Sequence, residues 1–429
     1  VVNIDAVSCG VEREPLFSPI GFKGGYLSEL WQSVALLESS TGHAGLGLGT
    51  QSTLWSDSRV FTEKKEEIAN QMMLDMTEYA LNSLPGTSFD TPLEVFDRLL
   101  PLTWDYGRTI TGFNDLRMTF VLNALVCIDL ATWQLYAIEI GAKTFDDMIP
   151  AEFRSALVHR HEKLALIPLI SYNVSIEEIR RLLDFGCFFL KIKVGSDPEG
   201  DGDPEKMLQW DCKRLSEIHF LAAHQNTPYT ESGNVAYYLD ANGRYDTKER
   251  LLRLLEHARS IGALERIVLL EEPFPENLDI DVRDIPVRLA ADESAHSEKD
   301  AARRIEMGYT AIALKPAGKT LTASLRTALT ASSNGIPCFC ADLTVNPLLL
   351  DWNKNVAARL APLPGLKIGV IESNGAQNYC NWEQMRKRHP MGNARWTEPT
   401  AGMFILDESF YETAGGIFQQ SKHYADLAK

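Results

Sequence analysis

From about residue 165 onward, short apolar runs alternate with stretches whose apolar residues recur every three or four positions. A run of the first kind reads as a strand buried on both faces, and one of the second kind as a helix with a single apolar face. Leu166–Tyr172 precedes a helix at Ile176–Phe185, and Phe188–Val194 precedes a longer helix around Pro204–Ala223. Val235–Leu239 precedes Thr247–Ile261. Ile267–Leu270 comes next, then Leu289–Ala291 and a helix across Glu298–Met307. Ala311–Leu314 precedes Leu321–Ser333, Pro337–Ala341 precedes a helix around Leu348–Leu360, and Lys367–Ile371 closes the set. About eight strands separated by helices predict an α/β fold, a (β/α)8-type TIM barrel.

The N-terminal part lacks that rhythm. Tyr26–Glu38 and Gly45–Leu54 read as strands joined by the turn-rich Ser39–Gly42. Glu63–Leu84 has helical spacing, with Ile68, Met72, Met76 and Leu81 on one side. Thr91 caps a further helix that begins with Pro92, and Asn123–Ile140 is a third, largely buried one. Residues 1–160 are therefore expected to form an α+β capping domain, and residues 161–385 the barrel. Past residue 385 the repeat stops. Met403–Leu406 reads as a short strand and Gly415-Gly416 as a turn, so 386–429 is expected to pack back on the capping domain and complete it. Asp197–Asp203 reads as an exposed loop.

A chain of 429 residues is long enough for two domains. Apolar residues make up 45% and charged residues 23%, the balance of an ordinary globular protein. A net charge of −16 argues against a nucleic-acid partner, whose phosphates it would repel. The seven cysteines are odd in number and scattered, which favours reduced thiols and a cytoplasmic setting. Cys338 and Cys340 share one strand face, but no second pair has zinc-site spacing, so both read as core. The longest apolar stretch, Phe120–Ala131, holds Asn123 and Asp129 and reads as too short and too polar to span a membrane. No basic segment followed by an apolar run marks a signal peptide.

The chemistry sits where the barrel strands end. Lys191-Ile192-Lys193, Asp240, Glu271, Asp292 and Lys315 each follow an apolar run and precede a loop or helix. The gaps from Asp240 onward are 31, 21 and 23 residues, each the size of one strand-plus-helix unit. Charged residues repeated at carboxyl ends of parallel strands mark the active face of a barrel. Any one of these acids alone would read as a solvated loop residue. Three together are costly without a cation, and Mg2+ suits three carboxylate oxygens. Lys191 and Lys193 lie two apart and share a strand face. Their repulsion and a nearby cation are expected to lower their pKa toward a usable base. Lys315 lies four strands beyond Lys193, half of an eight-strand circuit, so the two should face each other across the mouth. A lone strand-end lysine is usually structural; an opposed pair beside a cation is suited to moving the α-proton of a carboxylate.

Together these motifs resemble the enolase superfamily, and within it the muconate-lactonizing-enzyme subgroup of the mandelate racemase/muconate lactonizing enzyme family. The resemblance rests on Lys191-Ile192-Lys193, Asp240-Ala241-Asn242, Glu271-Glu272-Pro273, Ala291-Asp292-Glu293-Ser294 and Lys315, with Cys127–Trp133 as a capping-domain helix. It implies that Asp240, Glu271 and Asp292 bind Mg2+, with Asn242 and Glu293 as their neighbours. It implies that Lys193 and Lys315 are the acid/base pair, with Lys191 assisting Lys193. Mandelate-racemase-type members carry histidine on the seventh strand and aspartate on the sixth. Cys340-Ala341-Asp342 and Lys315 stand there instead, which argues against that subgroup.

The eighth strand ends in Glu372-Ser373-Asn374, with one acid where dipeptide epimerases have Asp-x-Asp. That end is closer to succinylbenzoate synthases and N-acylamino-acid racemases. Specificity in this superfamily comes from two cap loops, here Phe22–Tyr26 and Gly49–Trp55. Lys23, Tyr26 and Trp55 are thus expected substrate contacts, Lys23 toward a distal anionic group. Ser171, Asp342 and Glu372 are expected contacts from the barrel. The partner is then a small carboxylate. The resemblance points to an isomerase, a racemase or epimerase of an amino-acid derivative. Alternatives are a lyase performing syn β-elimination, a cycloisomerase, or, in another class, a non-catalytic metal-binding scaffold or sensor. A metal-dependent amidohydrolase would want histidines at strand ends, where this chain has none. Such barrels often assemble through their surfaces, so a homo-oligomer is also an expectation.

Overall fold

The computed structural model describes residues 1–23 and 25–429. Its first layer is an antiparallel sheet of β1 (Val2–Phe22), β2 (Gly25–Ser39), β3 (Ala44–Gln51) and β4 (Ser88–Phe89), in the order β3-β2-β1-β4. The long β1 is absent from the periodicity reading. It carries Glu12, Arg13, Glu14 and Pro15 in its middle and shows no apolar alternation there. Pairing with β2 from Ile4↔Ser39 to Phe22↔Gly25 makes it a strand, with a register break between Pro15 and Ile20.

The helix Met118–Glu139 lies across this sheet and is buried on nearly every side. Alternate glycines of β3 allow the close approach: a Cβ on Gly47 would sit 2.0 Å from the Cys127 carbonyl, and one on Gly45 2.2 Å from that of Ala131. At 22 residues this helix is longer than the apolar stretch had implied, and by length and composition it could cross a membrane. Its burial within the fold is that of a core helix, with 89% of its most apolar window covered. The helix expected at Glu63–Leu84 runs from Glu66 to Leu81 and buries Ala69, Met73, Met76 and Ala80. Ile68 is 49% exposed, so the buried face is rotated from the one inferred. The helix at Pro92–Thr111 begins as expected, although the Thr91 side chain makes no capping bond.

The second layer is the barrel. Its strands are β5 (Lys163–Ile167) with β6 (Leu169–Ile170), β7 (Phe189–Lys193), β8 (Ala236–Asp240), β9 (Ile267–Glu271), β10 (Leu289–Ala291), β11 (Ala311–Leu314), β12 (Cys338–Cys340) and β13 (Gly369–Glu372). All neighbours are parallel. Pro168 splits the first strand in two. The half before it pairs with β13 and the half after it with β7, which closes the circuit. The 21-residue gap between Glu271 and Asp292 contains no helix. Pro273, Pro275 and Pro286 deny it the backbone donors and dihedrals a helix needs. Cys338 and Cys340 are buried and unbridged.

The C-terminal segment touches both layers. β14 (Met403–Ile405) runs antiparallel to β5. Arg388 reaches Glu12 and Glu14 at 2.7 Å, and His423 reaches Glu12 at 2.9 Å, both on β1.

Candidate active site

The parallel register puts Lys193, Asp240 and Glu271 side by side at the ends of β7, β8 and β9. Lys191 and Lys193 share the interior face. The Lys191 ammonium lies 2.9 Å from Glu372 Oε2, 3.0 Å from Asp240 Oδ2 and 3.4 Å from Glu271 Oε2, and sits over the Tyr238 ring. Lys193 Nζ donates to the same Asp240 oxygen and, at 2.6 Å, to Asn242 Oδ1. Asp240 Oδ1 accepts the Asn242 N–H, so this acid is fully engaged.

The opposite flank repeats the motif with different parts. Lys315, just past β11, donates to Asp292 Oδ2 and stands 4.3 Å from the Trp55 ring centroid. Lys319, four residues on, reaches Asp292 Oδ1 at 2.8 Å and also donates to backbone carbonyls of Asp292 and Ala295. Sequence reasoning missed Lys319, since nothing local marks it. It also passed over Glu272, which accepts from Asp292 N–H, Ser294 N–H and Ser294 Oγ and so shapes the loop carrying Asp292 and Glu293. The doublet Glu271-Glu272 was the available signal.

Glu271, Asp292 and Glu293 each offer an oxygen within 4.8 Å of the others, all buried. Asp240 stands outside that trio, because two lysines hold it. Glu293 is thus grouped with the acids more tightly than its expected place as a neighbour. Glu293 Oε1 accepts from Asn242 Nδ2 at 2.8 Å, while its Oε2 has no hydrogen-bond partner among the described residues. Buried oxygens of like charge, with Asp292 Oδ1 and Glu293 Oε2 both lacking a hydrogen bond among the described residues, fit a hard divalent cation.

Charges here outweigh burial in some groups and yield to it in others. Burial pushes Glu271 up to about 8, against the pull of Lys191 and with the repulsion of Asp292. Burial and Glu293 raise Glu272 to about 7. Burial also acts to raise Asp240, yet Lys191 and Lys193 bring it down to about 2. Asp292 falls well below its ordinary value, because Lys315 and Lys319 overcome burial. The protein's own charges do not produce the lowering expected at Lys191, and they raise Lys315 as well. Burial favours it, but the surrounding carboxylates raise both, Lys191 strongly. The repulsion invoked from sequence is outnumbered by Asp240, Glu271, Glu372 and Asp292.

A cavity of about 40 Å³ lies between the flanks, lined by Lys191, Lys193, Lys315, Asp342 and Glu372 and roofed by Phe22 and Trp55. Trp55, Asp342 and Glu372, expected substrate contacts, all line this cavity. Glu372 is already taken by Lys191, and burial together with Glu372 raises Asp342 to about 7. A larger polar cleft of about 370 Å³ opens on the other side of Glu293, lined by Lys23, Arg117, Arg244 and Glu276. Lys23 belongs there: its ammonium donates to the Trp55 carbonyl at 2.8 Å and lies 3.6 Å from Glu293, which draws it away from the lysine cavity. Tyr26 is 56% exposed and lines neither space. Ser171 donates to Asn173 and stays outside both. Gly24, within the same cap loop, lies outside the described residues.

Known proteins agree with this architecture. Residues 175–365 match the family model described as Enolase C-terminal domain-like. A 192-residue stretch is 30% identical to an L-Ala-D/L-Glu epimerase of Clostridium acetobutylicum, covering 43% of this chain and 45% of that protein. The chain thus spans about half the length of that curated relative. Among solved structures, a mandelate racemase/muconate lactonizing protein from Herpetosiphon aurantiacus superposes with a TM-score of 0.66 at 16% identity, over 94% of this chain and 96% of its own. A dipeptide epimerase from Enterococcus faecalis, complexed with Mg and the dipeptide L-Leu-L-Tyr, gives 0.61 at 16% identity, over 87% and 90%. Residues 175–365 are thus similar in sequence to an Enolase C-terminal domain-like family, and the chain as a whole shares the fold of these structures.

Proposed function

We propose that this protein is an enzyme that removes the α-proton of a small carboxylate with the help of Mg2+, and that it racemises or epimerises an amino-acid derivative. The observation that carries this reading is the pair Lys193 and Lys315, which enter one small cavity from opposite halves of the barrel. A Cα–H held between them offers one face to each ammonium or amine. Lys193 takes the proton on its side, and Lys315 returns one on the other. Lys191 stays between Asp240 and Glu372 and holds their charge in place. Phe22 and Trp55 exclude water from the reacting carbon. Glu271, Asp292 and Glu293 would hold the cation, with Asp240 as a further donor. When bound, the ion would supply positive charge for the enolate oxygens and offset the carboxylate charge that keeps Lys191 and Lys315 protonated.

The eighth strand supports an acylated amine in the substrate: it ends in a single acid, Glu372, which already serves Lys191. The epimerase relatives favour an isomerase of an amino-acid derivative, although their Asp-x-Asp strand end is replaced here. One observation favours a second reading. Lys315 lies over the Trp55 ring and against Asp292, both of which favour its charged form. As a fixed cation it would leave Lys193 as sole base, the arrangement of a syn-eliminating lyase or a cycloisomerase.

The test is incubation in heavy water with Mg2+ and a panel of N-acyl amino acids, dipeptides and sugar acids. Deuterium at Cα with inversion supports the isomerase, and loss of a β-group without inversion supports the lyase. No exchange in any carboxylate sinks both and leaves a metal-binding scaffold.

A further inference from the structure

Past β11 the chain folds into one helical turn, Pro316–Lys319, and its last side chain turns back beneath Lys315. Lys319 is buried. It forms an ion pair with Asp292 Oδ1 and donates to the Asp292 and Ala295 carbonyls, all on the loop that ends β10. Lys315 lines the mouth cavity, whereas Lys319 does not. Lys319 therefore has no route to a substrate except through Asp292.

The backbone is built to deliver this side chain. Thr320 follows it at φ 75°, ψ 151°, a conformation that β-branched residues rarely adopt. Two contacts hold it there. The Thr320 hydroxyl caps the helix Leu321–Ser333 by accepting from Ala323 N–H. Asp129, on the long cap helix, accepts from Leu321 N–H at 2.8 Å, Thr322 N–H at 3.2 Å and Thr322 Oγ1 at 2.6 Å. Trp133, one turn along, donates to the same hydroxyl at 2.9 Å. The capping layer thus grips the segment that aims Lys319.

We propose that Lys319 is a positioning residue for Asp292. Its ammonium fixes one carboxylate oxygen and the loop carbonyls, so that the acid is held toward Glu271 and Glu293 in the orientation a divalent ion requires. Outer partners of metal-binding carboxylates commonly act this way. The inference rests on the reading that these acids take Mg2+, and the experiment separates the two.

Mg2+ alone is titrated calorimetrically into the wild-type protein and into Lys319→Met, Lys319→Gln and Lys319→Arg. Wild type should bind, Lys319→Met and Lys319→Gln should bind about tenfold more weakly or worse, and Lys319→Arg should recover most of the loss. The sign is decisive. Removing a positive charge beside acids would by itself tighten cation binding. Unchanged or tighter binding in Lys319→Met or Lys319→Gln overturns the proposal while leaving the function intact. No binding in wild type instead overturns the functional reading. If none of the variants folds, Lys319 is a general structural residue and the proposal falls as well.

Discussion

The two flanks of the barrel mouth solve one electrostatic problem in different ways. On each, two ammonium groups bracket one buried carboxylate: Lys191 and Lys193 on Asp240, Lys315 and Lys319 on Asp292. On the Asp240 flank, both lysines come from a single strand, two residues apart, and pairing along the sheet sets their geometry. On the Asp292 flank, one lysine ends a strand and the other comes from a turn with a strained exit, held by the cap helix. The pairings of the first flank therefore come from adjacent barrel strands, and those of the second also depend on contact between layers. Only the second acid stands within the trio suited to a cation.

The largest expected effect tests whether the flanks divide the chemistry. Lys193→Met and Lys315→Met should each lower turnover by about 10²–10⁴-fold, the usual contribution of a positioned acid or base. With separated enantiomers, each variant should lose exchange from one of them. Equal residual exchange from both enantiomers in both variants would break the division. Next comes the metal. Asp292→Asn should weaken Mg2+ binding by at least the ~10–100-fold that loss of an outer partner costs, and by more than Asp240→Asn does. Calorimetric titration checks this, and an equal or larger loss in Asp240→Asn would show that its lysines release it once the ion binds.

The smallest effect concerns the link that only the Asp292 flank has. Burial raises Asp129 from 3.8 to about 6, against its hydrogen bonds from Thr322 and Leu321. The folded protein thus holds this proton more tightly than the unfolded chain does. The resulting stability is present in full below about 3.8 and is lost as pH rises through about 6. A shift of this size amounts to about 3 kcal/mol at most. Denaturant unfolding of Asp129→Asn should be flatter with pH across that window than wild type. A slope identical to wild type would locate the pH dependence elsewhere.

What could be read in advance was local. The alternation of apolar runs with helical spacing marks every barrel strand, because a strand covered on both faces must be apolar throughout. The ends of those runs reveal Lys193, Asp240, Glu271, Asp292 and Lys315, since a charge inside such a run is costly unless acids pair with it, as they do for Lys191. What could not be read depended on partners distant in sequence. β1 is polar in its middle and is a strand only through β2. Lys23 was assigned to the substrate, but Glu293 and the Trp55 carbonyl claim it. Lys191 was expected to lose its proton to repulsion from Lys193 and a nearby cation, and the surrounding acids by themselves push it the other way.

The order of residues alone determined a closed parallel sheet with a rim of acids and amines, because hydrophobic period and spacing are properties of neighbouring positions. Only the tertiary structure decided which amine meets which acid, which acids remain grouped for a cation, and that Lys319 belongs among them. Those pairings follow from turns at unusual dihedrals and from the cap pressed against the barrel, and Coulomb forces depend on distance in space rather than on separation along the chain.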